Sequence, residues 1–321
     1  MSNKPAVVVT RCLPSAVTAR LKQDYAPFLN EDDVGLNAEE LVRRAAGCRA
    51  ILCTPTEKMD AATIATLPEE VEILATFSVG FEHIDLEAAT KRGLIVTNTP
   101  DVLTNATADV ALLLILAAAR RAYEGERLVR ENNWVGWKPE FMLGTEVTGK
   151  RLGILGMGRI GEAVAKRARG FDMTIHYNKR QRLPADQEQG AIFHETPEDM
   201  LPYCDFLSIH CPATPETHHL INAERLAMMP DGAIVVNTAR GTIVDDEALI
   251  DSLKSGKIAA AGLDVFEGEP NINPRYRDLP NTFLLPHIGS ATIETRNAMG
   301  FKCLDNLDAY FKGNEPPDRL A

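Results

Sequence analysis

A chain of 321 residues with 45% hydrophobic and 25% charged side chains is long enough for two domains with full cores and excludes fibres and extended disorder. The net charge of -11 speaks against a nucleic-acid partner, because binding to a phosphate backbone needs a basic surface. The most apolar run, residues 110–119, falls well short of the roughly 20 residues needed to cross a bilayer, so no membrane partner is expected. The N-terminus enters a Val-rich strand without a hydrophobic leader, which points to the cytoplasm.

Short β-branched runs alternate with helical stretches along the whole chain, the pattern of an α/β protein with parallel sheets. The first hundred residues predict strands at 6–10, 50–53, 73–76 and 95–97, with helical stretches such as 38–46 and 85–92 between them. A long apolar helix follows from near Thr104 to near Arg120 and Arg121, whose cations suit a helix C-terminus, and is expected to cross between domains. Beyond a charged helix come both tryptophans, Trp134 and Trp137, in a predicted loop. Two large aromatics there suggest an interface anchor.

A second α/β set starts with a strand at 151–155, a helix at 160–169 and a strand at 173–177, and continues with strands at 206–210, 233–237, 259–263 and 283–285, six in all. The final helical segment, 291–311, has no strand of its own and is expected to pack back on the first domain. The domains are therefore drawn as 1–100 plus 290–321 and 101–289. Six cysteines, at positions 12, 48, 53, 204, 211 and 303, have no metal-ligand spacing and read as reduced, mostly buried thiols. The histidines make no ligand set either. His218 and His219 are adjacent and cannot share a helix face, so no metal is expected.

Between the strand at 151–155 and the next helix lies Gly156-Met157-Gly158-Arg159-Ile160-Gly161. This is the context a dinucleotide-binding loop requires: Gly156 for the tight turn, Gly158 for close approach of a pyrophosphate, Gly161 for helix–strand packing. The helix N-terminus adds free N–H groups and partial positive charge. An NAD site ends its second strand in an acid that accepts from the ribose 2′-hydroxyl. Here Asn178, Lys179 and Arg180 stand in that place. A carboxylate would repel a 2′-phosphate, whereas the two cations would pair with it. NADP(H) is therefore the expected cofactor, with NAD(H) the alternative.

Three chemically able residues fall at or just beyond predicted strand ends, where open α/β sheets place ligands: Arg240 in Asn237-Thr238-Ala239-Arg240-Gly241, Glu269 in Asp264-Val265-Phe266-Glu267-Gly268-Glu269-Pro270, and His287 in Pro286-His287-Ile288-Gly289-Ser290-Ala291-Thr292. With these segments, the glycine loop and Ser78-Val79-Gly80-Phe81-Glu82-His83-Ile84-Asp85, the chain resembles the D-isomer-specific 2-hydroxyacid dehydrogenases over nearly all its length, closest to the glyoxylate and hydroxypyruvate reductase branch. The resemblance implies two Rossmann-like or flavodoxin-like parallel-sheet domains with an active-site cleft between them. It also implies reduction of a small 2-keto acid, glyoxylate or hydroxypyruvate, to the 2-hydroxy acid.

In that scheme His287 is the general acid/base, Glu269 favours its imidazolium and holds the ring, and Arg240 grips the substrate carboxylate as a planar fork. The N–H groups of Val79 and Gly80 hold the carboxylate's other side. For the cofactor the resemblance assigns Asp264, Thr238 and Ala239 to the nicotinamide, Arg159 and Ile160 to the pyrophosphate, and Cys211, Pro212 and Thr217 to the groove. Thr107 and Gly289 are further candidates. The family is typically a homodimer through the tryptophan region, where a tryptophan of related reductases reaches the partner's active site.

Formate dehydrogenases place a neutral amide beside the histidine, and Glu269 speaks against that reading. Phosphite or another 2-keto acid would satisfy the same arginine. The same fold also serves nicotinamide-sensing corepressors, which bind protein partners.

Overall fold

β-branched runs too short for helices become parallel strands whose side chains are buried on both faces. The computed structural model, which describes Lys4–Ala321, sorts them into two α/β units. The first unit runs to Leu103 and resumes at Ser290–Ala321, and the second is Thr104–Gly289. Among the described residues no helix is long and apolar enough to cross a membrane.

The first unit contains β1 (Ala6–Val9), α1 (Ser15–Asp24), β2 (Ala26–Phe28), α2 (Ala38–Ala45), β3 (Ala50–Cys53), α3 (Ala61–Thr66), β4 (Ile73–Thr76), α4 (Leu86–Arg92) and β5 (Ile95–Thr97). Its strands are all parallel, in the order β2-β1-β3-β4-β5. Every residue of β3 and β4 is buried, as expected where helices cover both faces of a parallel sheet. Helix starts follow local chemistry: the side chains of Asn37, Asp60 and Asp85 each accept a first-turn N–H of α2, α3 and α4. Five strands are present, one more than the sequence predicts. The extra one, β2, is an edge strand of three residues.

The second unit contains α5 (Thr104–Ala119), α6 (Ala122–Arg130), β6 (Arg151–Leu155), α7 (Arg159–Ala168), β7 (Thr174–Asn178), α8 (Ala185–Glu188), β8 (Ile192–His194), α9 (Pro197–Met200), β9 (Phe206–Ile209), α10 (Ala223–Met228), β10 (Ala233–Asn237), α11 (Asp246–Ser255), β11 (Ile258–Leu263) and β12 (Thr282–Leu284). Seven parallel strands, rather than the six expected, lie in the order β12-β11-β10-β9-β6-β7-β8. The missed strand is β8, again a three-residue edge. Helix α5 lies wholly in this unit, so the expected crossing between domains is not its role, and it packs on α7, β10 and β11. The last helix, α12 (Ile293–Phe311), belongs to the first unit and packs on β4 and α1.

Candidate active site

In the second unit the strand order reverses at β6, whose neighbours β7 and β9 lead away in opposite directions. Such a reversal opens a crevice at the C-terminal strand ends. The glycine loop sits there. Gly156 is in the left-handed region at φ 97°, and a Cβ on it would lie 2.4 Å from the Cys211 nitrogen, so the exit of β9 presses directly on the loop. A Cβ on Gly161 would lie 2.5 Å from the Gly156 oxygen, while one on Gly158 would meet no heavy atom within 4 Å. Two of the glycines thus close the protein side and the third keeps the outer side open. Gly158 also caps α7 without a side-chain bond, so no side chain covers the start of the helix, where the positive end of its dipole lies. These residues fit a dinucleotide pyrophosphate.

At the end of β7 the Asn178 amide donates to the carbonyls of His194 and Glu195, both at 3.0 Å, so only its oxygen remains to meet a ligand. Arg182 forms a forked pair with Glu188 at 2.8 and 3.0 Å, and the Tyr177 hydroxyl donates to the same carboxylate at 2.6 Å. Arg182, then Tyr177, hold the Glu188 carboxyl down at about 2. That fixes the turn beneath Lys179 and Arg180. The charge of Arg180 reaches Glu216, whose carboxyl is held below its ordinary range by the Thr214 hydroxyl first, then by backbone, then by that charge. The segment from Cys211 to Thr217 therefore borders the basic pair. Thr217 Oγ1 ties it together by donating to the Pro212 oxygen at 2.8 Å and accepting from the Thr214 nitrogen at 2.8 Å. Burial pushes the Cys211 thiol up to about 11, so it stays neutral.

One residue here escaped the sequence reading. His210, at the exit of β9, lies between Ser208 Oγ at 2.8 Å and Thr238 Oγ1 at 3.3 Å, and burial drives its pKa down to about 3. A neutral imidazole thus links the ends of β9 and β10. Its only signal in the sequence was a polar ring at a strand end.

Arg240, Glu269 and His287 come from the exits of three neighbouring strands, β10, β11 and β12. The Asn237 side chain folds the first exit, accepting from the Ala239 nitrogen and donating to the Arg240 oxygen, each at 2.9 Å. The guanidinium is braced by Nη1 donating to the Ala239 oxygen at 2.7 Å. A Cβ on Gly241 would lie 1.8 Å from the Phe266 carbonyl carbon, so only glycine lets the segment after β11 cross here.

Asp264, 1% exposed, joins the three exits. Its nitrogen donates to the Asn237 oxygen at 3.0 Å, its own oxygen accepts from the His287 nitrogen at 2.9 Å, and its carboxylate accepts from the N–H groups of Ile288 and Gly289, both at 2.7 Å. Burial raises the Asp264 pKa and these two bonds oppose the rise. The clamp holds His287 at φ 55°, a left-handed conformation costly for a non-glycine residue. Thr107 Oγ1 secures the far side of the turn by donating to the Gly289 oxygen at 3.2 Å.

The result is a close pair: His287 Nδ1 stands 2.7 Å from Glu269 Oε2, while Glu269 Oε1 accepts from the Phe266 nitrogen at 2.7 Å. Burial alone would raise the Glu269 pKa, but the bonds from His287 and Phe266 and the charges of His287 and Arg240 hold it below the ordinary range. The acid is therefore an acceptor at neutral pH, and Arg240 is close enough for its charge to be felt there.

In the first unit, Val79 and Gly80 follow β4. Asn98 Nδ2 donates to the Val79 oxygen at 2.8 Å and Ser78 Oγ to the Gly80 oxygen at 2.6 Å, fixing both peptides by their carbonyls. No acceptor among the described residues takes either N–H. Trp134 and Trp137, in the second unit, are 58% and 80% exposed rather than packed on each other. Adjacent in sequence, His218 and His219 nonetheless gather with a third potential ligand in the fold. His218, His219 and Glu267 each place a ligand atom within 4.8 Å of the others, because His219 adopts φ 49° and turns the two rings to one side.

Fold and site together define a Rossmann-like α/β oxidoreductase. The family model for the D-isomer specific 2-hydroxyacid dehydrogenase NAD binding domain matches residues 112–289. The glycerate dehydrogenase of Hyphomicrobium methylovorum is 43% identical over 99% of this chain and 100% of its own length. The glyoxylate reductase of Thermococcus litoralis is 45% identical over 98% of this chain and 96% of its own. A solved structure from Polaromonas sp., described as a D-isomer specific 2-hydroxyacid dehydrogenase, superposes with a TM-score of 0.95 at 44% identity, covering 99% of both chains. An NADPH-dependent glyoxylate/hydroxypyruvate reductase from Sinorhizobium meliloti, solved with NADP and malonate, superposes with a TM-score of 0.89 at 34% identity, covering 99% of this chain and 97% of its own. The chain belongs to the D-isomer-specific 2-hydroxyacid dehydrogenase family.

Proposed function

We propose that the chain reduces a small 2-keto acid, glyoxylate or hydroxypyruvate, to the 2-hydroxy acid, with NADP(H) preferred over NAD(H). The observation that carries this reading is the 2.7 Å pair of His287 Nδ1 and Glu269 Oε2 beside Arg240. The glycine loop would hold a nicotinamide cofactor, which when bound in its reduced form would supply the hydride. Glu269 accepts a hydrogen bond from Nδ1–H of His287, so the imidazolium's other N–H is on Nε2, from which the proton passes to the substrate's carbonyl oxygen. In the reverse direction neutral Nε2 takes the proton back. Arg240 pairs with the substrate carboxylate and polarises the carbonyl. In the first unit, the N–H groups of Val79 and Gly80 are donors of the kind a small carboxylate takes. Asp264, Thr238 and Ala239 stand on the nicotinamide side, with Asp264 acting chiefly through the turn it clamps.

The functional division follows: residues 1–100 with 290–321 recognise substrate, and 101–289 bind the cofactor. NADP(H) is favoured because β7 ends without an acid and with Lys179 and Arg180. The NADPH-dependent Sinorhizobium meliloti relative supports the same preference. The exposed Trp134, Val135 and Trp137, the last two 87% and 80% exposed, support a homodimer through this segment.

Turnover is the test. NADPH oxidation with glyoxylate or hydroxypyruvate should be rapid in the wild type and reduced at least about a hundredfold in Arg240→Ala. NADPH binding without reduction of either acid would make the protein a sensor and overturn the reading. Lys179→Ala with Arg180→Ala should raise the KM for NADPH about tenfold to a hundredfold and leave NADH nearly unchanged; equal losses on both cofactors would remove the assignment.

A further inference from the structure

Away from the His287–Glu269 pair, a second imidazole–carboxylate group has no part in the reaction proposed above. His219 follows directly on His218, and its left-handed backbone, φ 49°, stacks the two rings with centroids 4.0 Å apart and planes 25° from parallel. The backbone there is anchored: the His219 nitrogen donates to the Thr242 oxygen at 2.8 Å. Beside Thr242, Gly241 brings in Glu267, since a Cβ on that glycine would lie 2.1 Å from the Glu267 nitrogen. The carboxylate of Glu267 thereby reaches His219 Nε2 at 3.0 Å.

One atom from each of His218, His219 and Glu267 lies within 4.8 Å of the others. An ion bound tetrahedrally at 2.0–2.1 Å would hold its ligand atoms roughly 3.3 Å apart. The His219–Glu267 separation already matches. His218 is exposed, so its ring is free to turn the remaining distance. Neutral imidazole nitrogens with one carboxylate suit borderline divalent ions such as Zn²⁺ and leave a fourth position to water. The surroundings are anionic: the Asp246 carboxylate, which accepts from the Tyr276 hydroxyl at 2.8 Å, feels both Glu267 and Asp245. A cation is the natural counter-charge.

We propose that His218, His219 and Glu267 form a surface site for one divalent transition-metal ion of the zinc class. The site is independent of the reductase reading, because none of its ligands is placed in that reaction.

The test uses tag-free, reduced full-length protein stripped with EDTA and titrated with ZnCl₂ by calorimetry. One ion per chain is expected, with affinity weakened on the order of a hundredfold or more in His218→Gln and in Glu267→Gln. Co²⁺ substitution should give visible d–d absorption without a near-ultraviolet thiolate band. His218→Gln alters only an exposed ring, so it decides the matter if Glu267→Gln fails to fold. Zn²⁺ affinity unchanged in His218→Gln would overturn the proposal. So would a cobalt–thiolate band lost in Cys12→Ser, which would assign the ion to a cysteine.

Discussion

Both sheets reverse their strand order beside their first strand, β1 in one unit and β6 in the other, yet the two crevices are filled in opposite ways. In the first unit the chain fills its own. Glu57, 1% exposed, accepts from Thr10 Oγ1 at 2.5 Å, from the Thr54 nitrogen at 3.0 Å, from Thr54 Oγ1 at 3.1 Å and from Thr56 Oγ1 at 2.6 Å. A buried carboxylate with four donors is a structural knot. In the second unit glycines take the equivalent place, and the outer side of Gly158 stays open. Topology offers the crevice twice. The side chains at the strand exits determine whether a ligand has room there.

The sharpest way to break this comparison is to remove the proton carrier of the second unit while leaving its crevice intact. His287→Asn should lower kcat by about 10²- to 10⁴-fold with the dissociation constant for NADPH unchanged. A matching loss of NADPH affinity would show that His287 shapes the crevice rather than acting in it. Glu269→Gln should follow the same pattern more weakly, since it removes an orienting acceptor and leaves the ring.

The next pair of variants sets one crevice against the other. In Gly156→Ala the new Cβ would meet the Cys211 nitrogen at 2.4 Å on a backbone at φ 97°, so about 2–4 kcal/mol of stability should be lost together with NADPH binding. In Glu57→Ala four donors lose their acceptor, costing about 1–3 kcal/mol in urea unfolding, while affinity for NADPH stays at the wild-type value. A fall in NADPH affinity in Glu57→Ala would erase the distinction between a knot and a ligand site.

Legibility followed the same divide. Long buried strands such as β3, β4, β6 and β10 declared themselves by unbroken apolar runs. The two that escaped, β2 and β8, are three-residue edges, one of them carrying Pro27, and they owe their existence to the neighbour they pair with rather than to propensity. The glycine loop and the residues Arg240, Glu269 and His287 were legible because their segments are contiguous in sequence. The clamp by Asp264, the neutral His210 bridge and the His218–His219–Glu267 group were not, because each depends on backbone turns and on chain segments brought together by folding. No periodicity encodes φ 49° at His219.

The smallest effect probes the edge of the open crevice. Arg180 spends part of its field on Glu216, an exposed carboxylate at the border of the segment that begins at Cys211. If Arg180 is reserved for a 2′-phosphate, Glu216 competes with the ligand, and its anion also repels the phosphate directly. Glu216→Gln should therefore lower the KM for NADPH by about two- to fivefold at low ionic strength, leave the KM for NADH where it was, and lose its effect in high salt as exposed charges are screened. A rise in the KM for NADPH would mean that Glu216 orders the groove through its Thr214 bond more than it opposes the phosphate, and the cofactor preference would then rest on Lys179.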